Sequence, residues 1–476
     1  MPHDGTVRLA ELRYLAVQDI TFVISARTGG WAAVDDRELS QLRDLDGAST
    51  REMLARKPSI DGLEAIWNRG LVEVGGTLGI DPDRHDAAVE ATRKHYSLVL
   101  LMNSGCNLAC TYCYLGHELP RPANAMSTDV LHHAIDQAVA QPWPKLLIDF
   151  GEIAVAESAF RSAVSYAEAA AAEAGKPLRM SIQTNGTTVD DDLADFIAAH
   201  GISVGLSIDG TRAMHDATRL FRSGVGSHEL ALAGLSRLVT RRVPVHVPVT
   251  IGRHNVGDPT AVLDAIAELG VGSWLFKPIL AHGEAATAWD ANGVSAKEYG
   301  AFMAEVIAVA NARDLDLLDT TARKFLWRLV GDSRGWGDSC TSRTCGSGRS
   351  LHTVDAKGGV HACPRFVDAP LAHVVPDSGG GLRKPLPLID LLAPTLRTTP
   401  TTCAGCPWLH SCGGGCTLGG GHGAEPLPDP HCDAYDEIHR ILLTEVMPDL
   451  LAGAHQASRI RRGTSVVEQP LREMVS

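Results

Sequence analysis

Eleven cysteines fall into two groups in this 476-residue chain: Cys106, Cys110 and Cys113 on one short stretch, and eight more between Cys340 and Cys432. Clustered thiols in a chain with no secretory features point to metal before disulfides. The first group has the spacing Cys-x3-Cys-x2-Cys. A structural zinc site wants a fourth ligand close by; no fourth cysteine is near, and His117 is the residue that would complete such a knot. A [4Fe–4S] cluster held by three thiolates instead leaves one iron open to an exogenous ligand, which makes an electron-transfer centre with a vacant position. The second group reads Cys340, Cys345-x12-Gly358-x4-Cys363, Cys403-x2-Cys406-x5-Cys412-x3-Cys416 and Cys432. Eight thiolates suffice for two fully ligated four-iron clusters; four-cysteine zinc sites are the alternative, because Cys-x2-Cys pairs are common zinc knuckles.

Around these cysteines the composition is ordinary for a globular protein, 45% hydrophobic and 21% charged. Aromatics make up 5%, so the core rests on Ala, Val, Leu and Ile. A length of 476 residues implies two or three domains. A formal net charge of −13 argues against nucleic-acid binding by bulk electrostatics. The N-terminus has no basic segment leading into an apolar one, and no run approaches the ~18–20 apolar residues of a membrane span. The expectation is a cytoplasmic protein.

Residues 1–90 read as a small α+β unit. Residues 20–25 and 31–34 form two strands joined by a turn at 27–30, and Asp35 or Asp36 caps a helix carrying Leu39, Leu42 and Leu45. A second helix begins at Thr50 with Met53 and Leu54 inward, a third lies near 63–68, and 70–74 is a closing strand. This is a winged-helix-like pattern, followed by a linker at 81–86. From 95 to 330, apolar runs at 98–102, 146–150, 180–183, 204–208, 245–250 and 274–279 alternate with helical segments at 128–140, 159–174, 193–199, 229–239 and 260–269. That alternation implies a parallel sheet with crossover helices, a partial (β/α)6 TIM-like barrel with its chemistry at the C-terminal strand ends. In 331–436 Gly, Pro and Cys dominate and periodicity fades, so the segment needs thiolate-bound metal as a staple. Residues 433 to about 462 read as helical, and the tail up to 476 as loose.

Cys106-Asn-Leu-Ala-Cys110-Thr-Tyr112-Cys113, placed after the first barrel strand, resembles the radical S-adenosylmethionine (radical SAM) superfamily over residues 95–280. The resemblance implies that the open iron binds the amino and carboxylate groups of S-adenosylmethionine. One electron then yields methionine and a 5′-deoxyadenosyl radical that abstracts a substrate hydrogen, while the protein orients the reactants and excludes side reactions. Tyr112 is implied to contact the adenine. Phe150-Gly151-Glu152-Ile153 stands where the family has Gly-Gly-Glu-Pro, with the first Gly and the Pro replaced, and Gly151 and Glu152 are carried over as cofactor-binding residues. Gln183-Thr-Asn-Gly186, Ser207-Ile-Asp-Gly210 and His215-Asp-Ala-Thr-Arg219 match further motifs. Ser207 and Arg219 are implied to grip the cofactor carboxylate, and Leu275 to pack on the adenine.

The second cysteine group resembles the SPASM domain of such enzymes. That resemblance implies interleaved ligands: Cys340, Cys345, Cys363 and Cys416 for an inner auxiliary cluster, Cys403, Cys406, Cys412 and Cys432 for an outer one. Sulfatase-maturing members carry an acidic base directly after the cysteine equivalent to Cys363, but Pro364 and Arg365 follow here, so no catalytic residue is assigned.

The N-terminal unit resembles a RiPP recognition element, which binds leader peptides of ribosomally made products by strand addition; a packing cap is the alternative. Asp35, Asp36, Glu38, Asp44 and Asp46 make it too acidic for a DNA-binding winged helix. The expected function is hydrogen abstraction from a ribosomally synthesised precursor peptide, ending in a C–C, C–O or thioether cross-link. It would use S-adenosylmethionine, three [4Fe–4S] clusters and an electron donor such as flavodoxin or ferredoxin, with no nucleic-acid or membrane partner. Oxidation or epimerisation of another substrate, and a non-catalytic metal-binding scaffold, are the rivals.

Overall fold

The computed structural model describes residues 5–52, 62–79, 94–115, 125–154, 156–313, 319–330, 345–365, 367, 370–374, 401–416 and 429–448. Cys340, His117, the 81–86 linker, Met53 and Leu54 of the second expected helix, and the tail beyond 448 lie outside these residues.

The N-terminal unit contains β1 (Val7–Leu9), β2 (Leu12–Val17), β3 (Ile20–Ser25), β4 (Trp31–Val34) and β5 (Val72–Val74), with helices Asp36–Arg43 and Gly62–Asn68. β2-β3-β4 is an antiparallel sheet, and β1 pairs antiparallel with β5. The sequence reading lacked β1 and β2, so two strands ahead of the helices become four. The β2–β3 turn explains part of the omission: Gln18 adopts φ 53, without the Asn-Gly signature that usually marks such a turn. Asp35 is the helix cap, accepting from the Glu38 N–H while Glu38 reaches back to the Asp35 N–H. Leu45 is buried but lies beyond the helix end. β3 is covered on both faces. Val23 joins the core of the unit, while Phe22 and Ile24, with Trp31, join the core of the main domain. The Trp31 indole N–H donates to the Leu329 carbonyl at 2.6 Å.

Six parallel strands follow: β6 (His95–Leu100), β7 (Lys145–Asp149), β8 (Leu178–Thr184), β9 (Ser203–Leu206), β10 (Val245–Ile251) and β11 (Ser273–Pro278), each beside its predecessor. Helices Thr128–Val139, Glu157–Glu173, Asp191–Ala199, His228–Thr240 and Pro259–Ala267 make the crossovers, and Ser127, Asp190 and Asp258 cap three of them. Strand side chains alternate. On β10, Val245, Val247, Val249 and Ile251 are buried on one face, whereas His246, Pro248 and Thr250 are half-buried on the other.

The same sheet extends past β6 through β12 (Leu351–Val354), parallel to β6, then β13 (Gly359–His361) and β14 (Ala372–His373). The cysteine-rich segment therefore contributes strands to the main sheet, where the sequence reading saw only fading periodicity. The reason is the buried polar residues His352, Thr353 and His361. Their apolar pattern is broken, and His352 is bonded instead to the Tyr96 hydroxyl at 2.9 Å. The helix Cys432–Ile441 runs on through a π-type segment, Leu442–Val446, and packs where Gly300 of the helix Ala296–Ala312 permits close approach to Ala434. Among the described residues no helix is long and apolar enough to cross a membrane.

Candidate active site

The loop after β6 carries Cys106, Cys110 and Cys113 across the C-terminal end of the sheet. It is tied down by its backbone: the Ala109 N–H donates to the Leu220 carbonyl at 2.8 Å, and the Thr111 N–H to the Thr218 carbonyl at 3.0 Å. Asn185, at the end of β8, bridges the loop by donating to Asn107 Oδ1 at 2.9 Å and lies 3.7 Å from the Cys106 sulfur. Burial pushes the Cys106 thiol up to about 11 and the Cys110 thiol to about 12. The sulfurs are therefore protonated until a cationic centre displaces their protons.

Beside them Gly151 adopts φ +57, and a Cβ there would lie 3.0 Å from the Leu100 carbonyl oxygen. Glu152 is committed to the strand ends, accepting from the Thr184 hydroxyl at 3.0 Å, the Asn185 N–H at 2.7 Å and the Ala154 N–H at 2.9 Å. Burial raises its pKa. Ser207 is half-buried just past β9, its N–H bonded to the Thr184 carbonyl at 3.0 Å. Leu275 lies on the half-buried face of β11, two residues from Lys277.

Tyr112 and Arg219 meet at a residue to which the sequence reading gave no role. The Tyr112 hydroxyl donates to Asp209, and so does Arg219 Nε at 2.8 Å; the guanidinium carbon lies 5.3 Å from the centre of the Tyr112 ring. Asp209 also accepts from the Thr250 N–H at 2.8 Å. Burial works against its charge, but Arg219, His254 and His215 together outweigh burial and hold the carboxyl below the ordinary range. His254 stacks on the far side of the network, 5.9 Å from Tyr112. The quoted Ser207-Ile-Asp-Gly210 motif contained Asp209, but nothing in the sequence paired it with Arg219.

In the cysteine-rich part, Cys345 and Cys416 are close enough to Cys363 to perturb its thiol, which burial first of all pushes up to about 11. Cys403, Cys406, Cys412 and Cys432 line one small opening, together with Asp429 and Tyr435. Asp429 joins the two sets by accepting from the Cys416 N–H at 2.6 Å. None of the ten described cysteines is in a disulfide. Among the described residues no three His, Cys, Asp or Glu side chains converge on a single-ion geometry. Thiols spread around one opening suit a polynuclear cluster, in which each sulfur holds a different iron. Burial raises the Tyr114 hydroxyl's pKa, and Cys113 of the first group and Cys363 of the second both lie close enough to add to the rise.

Residues 100–266 match the model of the radical SAM superfamily. The chain carries a radical SAM domain. The cysteine loop, strands β7 to β10 and the glycine at the end of β7 lie within the matched residues. The chain is 30% identical over 203 residues to a serine-type anaerobic sulfatase-maturating enzyme of Klebsiella aerogenes, an alignment covering 42% of this chain and 49% of that protein. The chain thus spans about half the length of that curated relative. It is 29% identical over 345 residues to the mycofactocin maturase MftC of Mycobacterium ulcerans (strain Agy99), covering 69% of this chain and 85% of that one. The solved structure of native anSMEcpe with bound AdoMet and Cp18Cys peptide superposes with a TM-score of 0.61 at 20% identity, over 76% of this chain and 99% of the other. That likeness establishes the fold.

Proposed function

We propose that the protein is a radical SAM peptide maturase that cross-links side chains of a ribosomally synthesised precursor peptide. The observation that carries this reading is the placement of Cys106, Cys110 and Cys113 on the loop after β6, tied by its backbone to Thr218 and Leu220 and by Asn107 to Asn185 at the end of β8. The three thiolates would hold a [4Fe–4S] cluster with one open iron, and S-adenosylmethionine bound there supplies a 5′-deoxyadenosyl radical. Gly151 leaves room for the methionine amino group, Ser207 and the outer edge of Arg219 hold its carboxylate, and Tyr112 and Leu275 enclose the adenine. Asp209 fixes Arg219 and Tyr112 in these roles.

Cys340, Cys345, Cys363 and Cys416 would hold an inner auxiliary cluster, and Cys403, Cys406, Cys412 and Cys432 an outer one, giving three in all. Two fully ligated auxiliary clusters suit an oxidation, which favours cross-linking over epimerisation. The N-terminal unit binds the leader of the precursor by strand addition at the outer edge of β2, where Tyr14 is 44% exposed beneath Arg43. This reading is supported by the maturase relatives and by the peptide bound in the structural relative. Flavodoxin or ferredoxin would supply electrons in the cytoplasm. The test is anaerobic coexpression with the peptide of a short reading frame beside the gene, followed by mass spectrometry. Loss of two hydrogens from that peptide, abolished by Cys106→Ala, is the expected result; an unmodified peptide alongside active S-adenosylmethionine cleavage would overturn it.

A further inference from the structure

Strand alternation places Asp149 of β7, Ser181 and Gln183 of β8 and Lys277 of β11 on the face of the sheet opposite the buried Ile148, Ile182 and Phe276. Asp149 is held in place there: Oδ1 accepts from the Gly151 N–H at 3.0 Å and Oδ2 from the Ser181 hydroxyl at 2.7 Å. Gln183 is a further donor to it, and Lys277 is the cation acting on it. Gly205 of β9 serves the same arrangement, because a Cβ there would come within 2.3 Å of the Gln183 amide.

Two carboxylates thus stand three residues apart with different duties. Glu152 is spent on the ends of β7 and β8. Asp149 stands on the half-buried face of β7 and is one of the charges acting on Tyr114, with Cys113, Cys363 and Arg365. A carboxylate offers about four acceptor sites, more than the two that the Gly151 N–H and the Ser181 hydroxyl take up. Pro364 and Arg365 leave no acid after Cys363, and Asp149 at the end of β7 is an acid on another element.

We propose that Asp149 is the proton acceptor for the peptide side chain that becomes cross-linked, an inference that rests on the maturase reading above. Cross-linking removes two hydrogens from the peptide and joins the two atoms that lost them. One leaves as an atom to the 5′-deoxyadenosyl radical, giving 5′-deoxyadenosine. The other leaves as a proton to the Asp149 carboxylate and an electron to an iron–sulfur acceptor. Ser181 and the Gly151 N–H aim the carboxylate, and Lys277 favours its charged, proton-accepting form. Burial opposes that charge and lifts the carboxyl above its usual range. The charged and titratable groups acting on it or on its partners are Lys277 from β11, His246 of β10 beside Lys277, and Tyr114 of the first cysteine loop, itself acted on by Arg365.

The test compares reconstituted holoenzyme of wild type, Asp149→Asn, Asp149→Glu and Lys277→Met. Infrared difference titration should show a carboxylic-acid band in wild type that is absent in Asp149→Asn and titrates at higher pH in Lys277→Met. With the peptide of the neighbouring reading frame, Asp149→Asn should lower cross-linked product per 5′-deoxyadenosine by about 10²–10⁴-fold, with partial recovery in Asp149→Glu. Product formation in wild type should fall as pH drops through the Asp149 pKa, and Lys277→Met should move that fall to higher pH. Product per 5′-deoxyadenosine unchanged in Asp149→Asn, or no Asp149 band that responds to Lys277→Met, would overturn the proposal. A wild type that leaves S-adenosylmethionine intact would instead sink the maturase reading, and the infrared titration would still decide the state of Asp149.

Discussion

Arg219 donates through Nε to Asp209 Oδ2 at 2.8 Å, and both side chains are buried. The guanidinium also covers Tyr112, whose hydroxyl donates to the same carboxylate. The pair therefore joins the cysteine loop to the ends of β9 and β10. Behind it, His215 Nδ1 accepts from the Asp209 N–H at 3.4 Å, and its Nε2 lies 3.0 Å from the Ser227 hydroxyl, which donates to the Arg219 carbonyl at 2.7 Å.

Removing one member of such a pair leaves an uncompensated buried charge. Asp209→Asn should lower unfolding free energy by about 3–5 kcal/mol, as measured by the urea midpoint. The reconstituted variant should also release iron faster on chelation, because Tyr112 loses its anchor next to Cys113.

Gly151 meets two constraints, a φ of +57 and the Leu100 carbonyl 3.0 Å from any Cβ. Gly151→Ala should strain the turn by about 1–2 kcal/mol. By equilibrium dialysis, S-adenosylmethionine should bind roughly tenfold more weakly, with iron content unchanged. Wild-type affinity would show that the turn is not at the cofactor.

The six barrel strands were legible because each is an apolar run of strand length between helical patterns, such as Val245–Ile251 between His228–Thr240 and Pro259–Ala267. The cysteine spacing and the motifs around Gly151 and Ser207 were legible for the same local reason. Long-range pairings were not. Nothing near Leu351 announces that it will pair with Ser97 of β6, and nothing near Asp149 announces Lys277 of β11. The Arg13–Glu11 pair at the start of β2, which lies against Gly405 of the outer cysteine loop, is equally silent in sequence.

Asp319 caps the helix Thr320–Leu329 and accepts from the Phe276 N–H at 2.6 Å. Burial pushes its carboxyl up to about 6 despite these bonds. The folded state thus holds a proton that the unfolded state releases near its ordinary value of 3.8. Stability from this group is full below pH about 4 and is lost as pH rises through about 6. Urea midpoints across that window should fall with pH in wild type and flatten in Asp319→Asn.

Each cysteine set should govern its own iron. About twelve irons per chain are expected for three [4Fe–4S] clusters, and about eight after Cys106→Ala or the double change Cys403→Ala, Cys432→Ala. Elemental analysis that finds zinc in place of iron would favour a scaffold.

Cleavage of S-adenosylmethionine by the anaerobically reconstituted, dithionite-reduced protein is the most direct measurement. 5′-Deoxyadenosine should accumulate with wild type and be absent with Cys106→Ala. Intact S-adenosylmethionine after incubation with wild-type protein carrying its full iron would contradict radical chemistry at the Cys106–Cys113 loop.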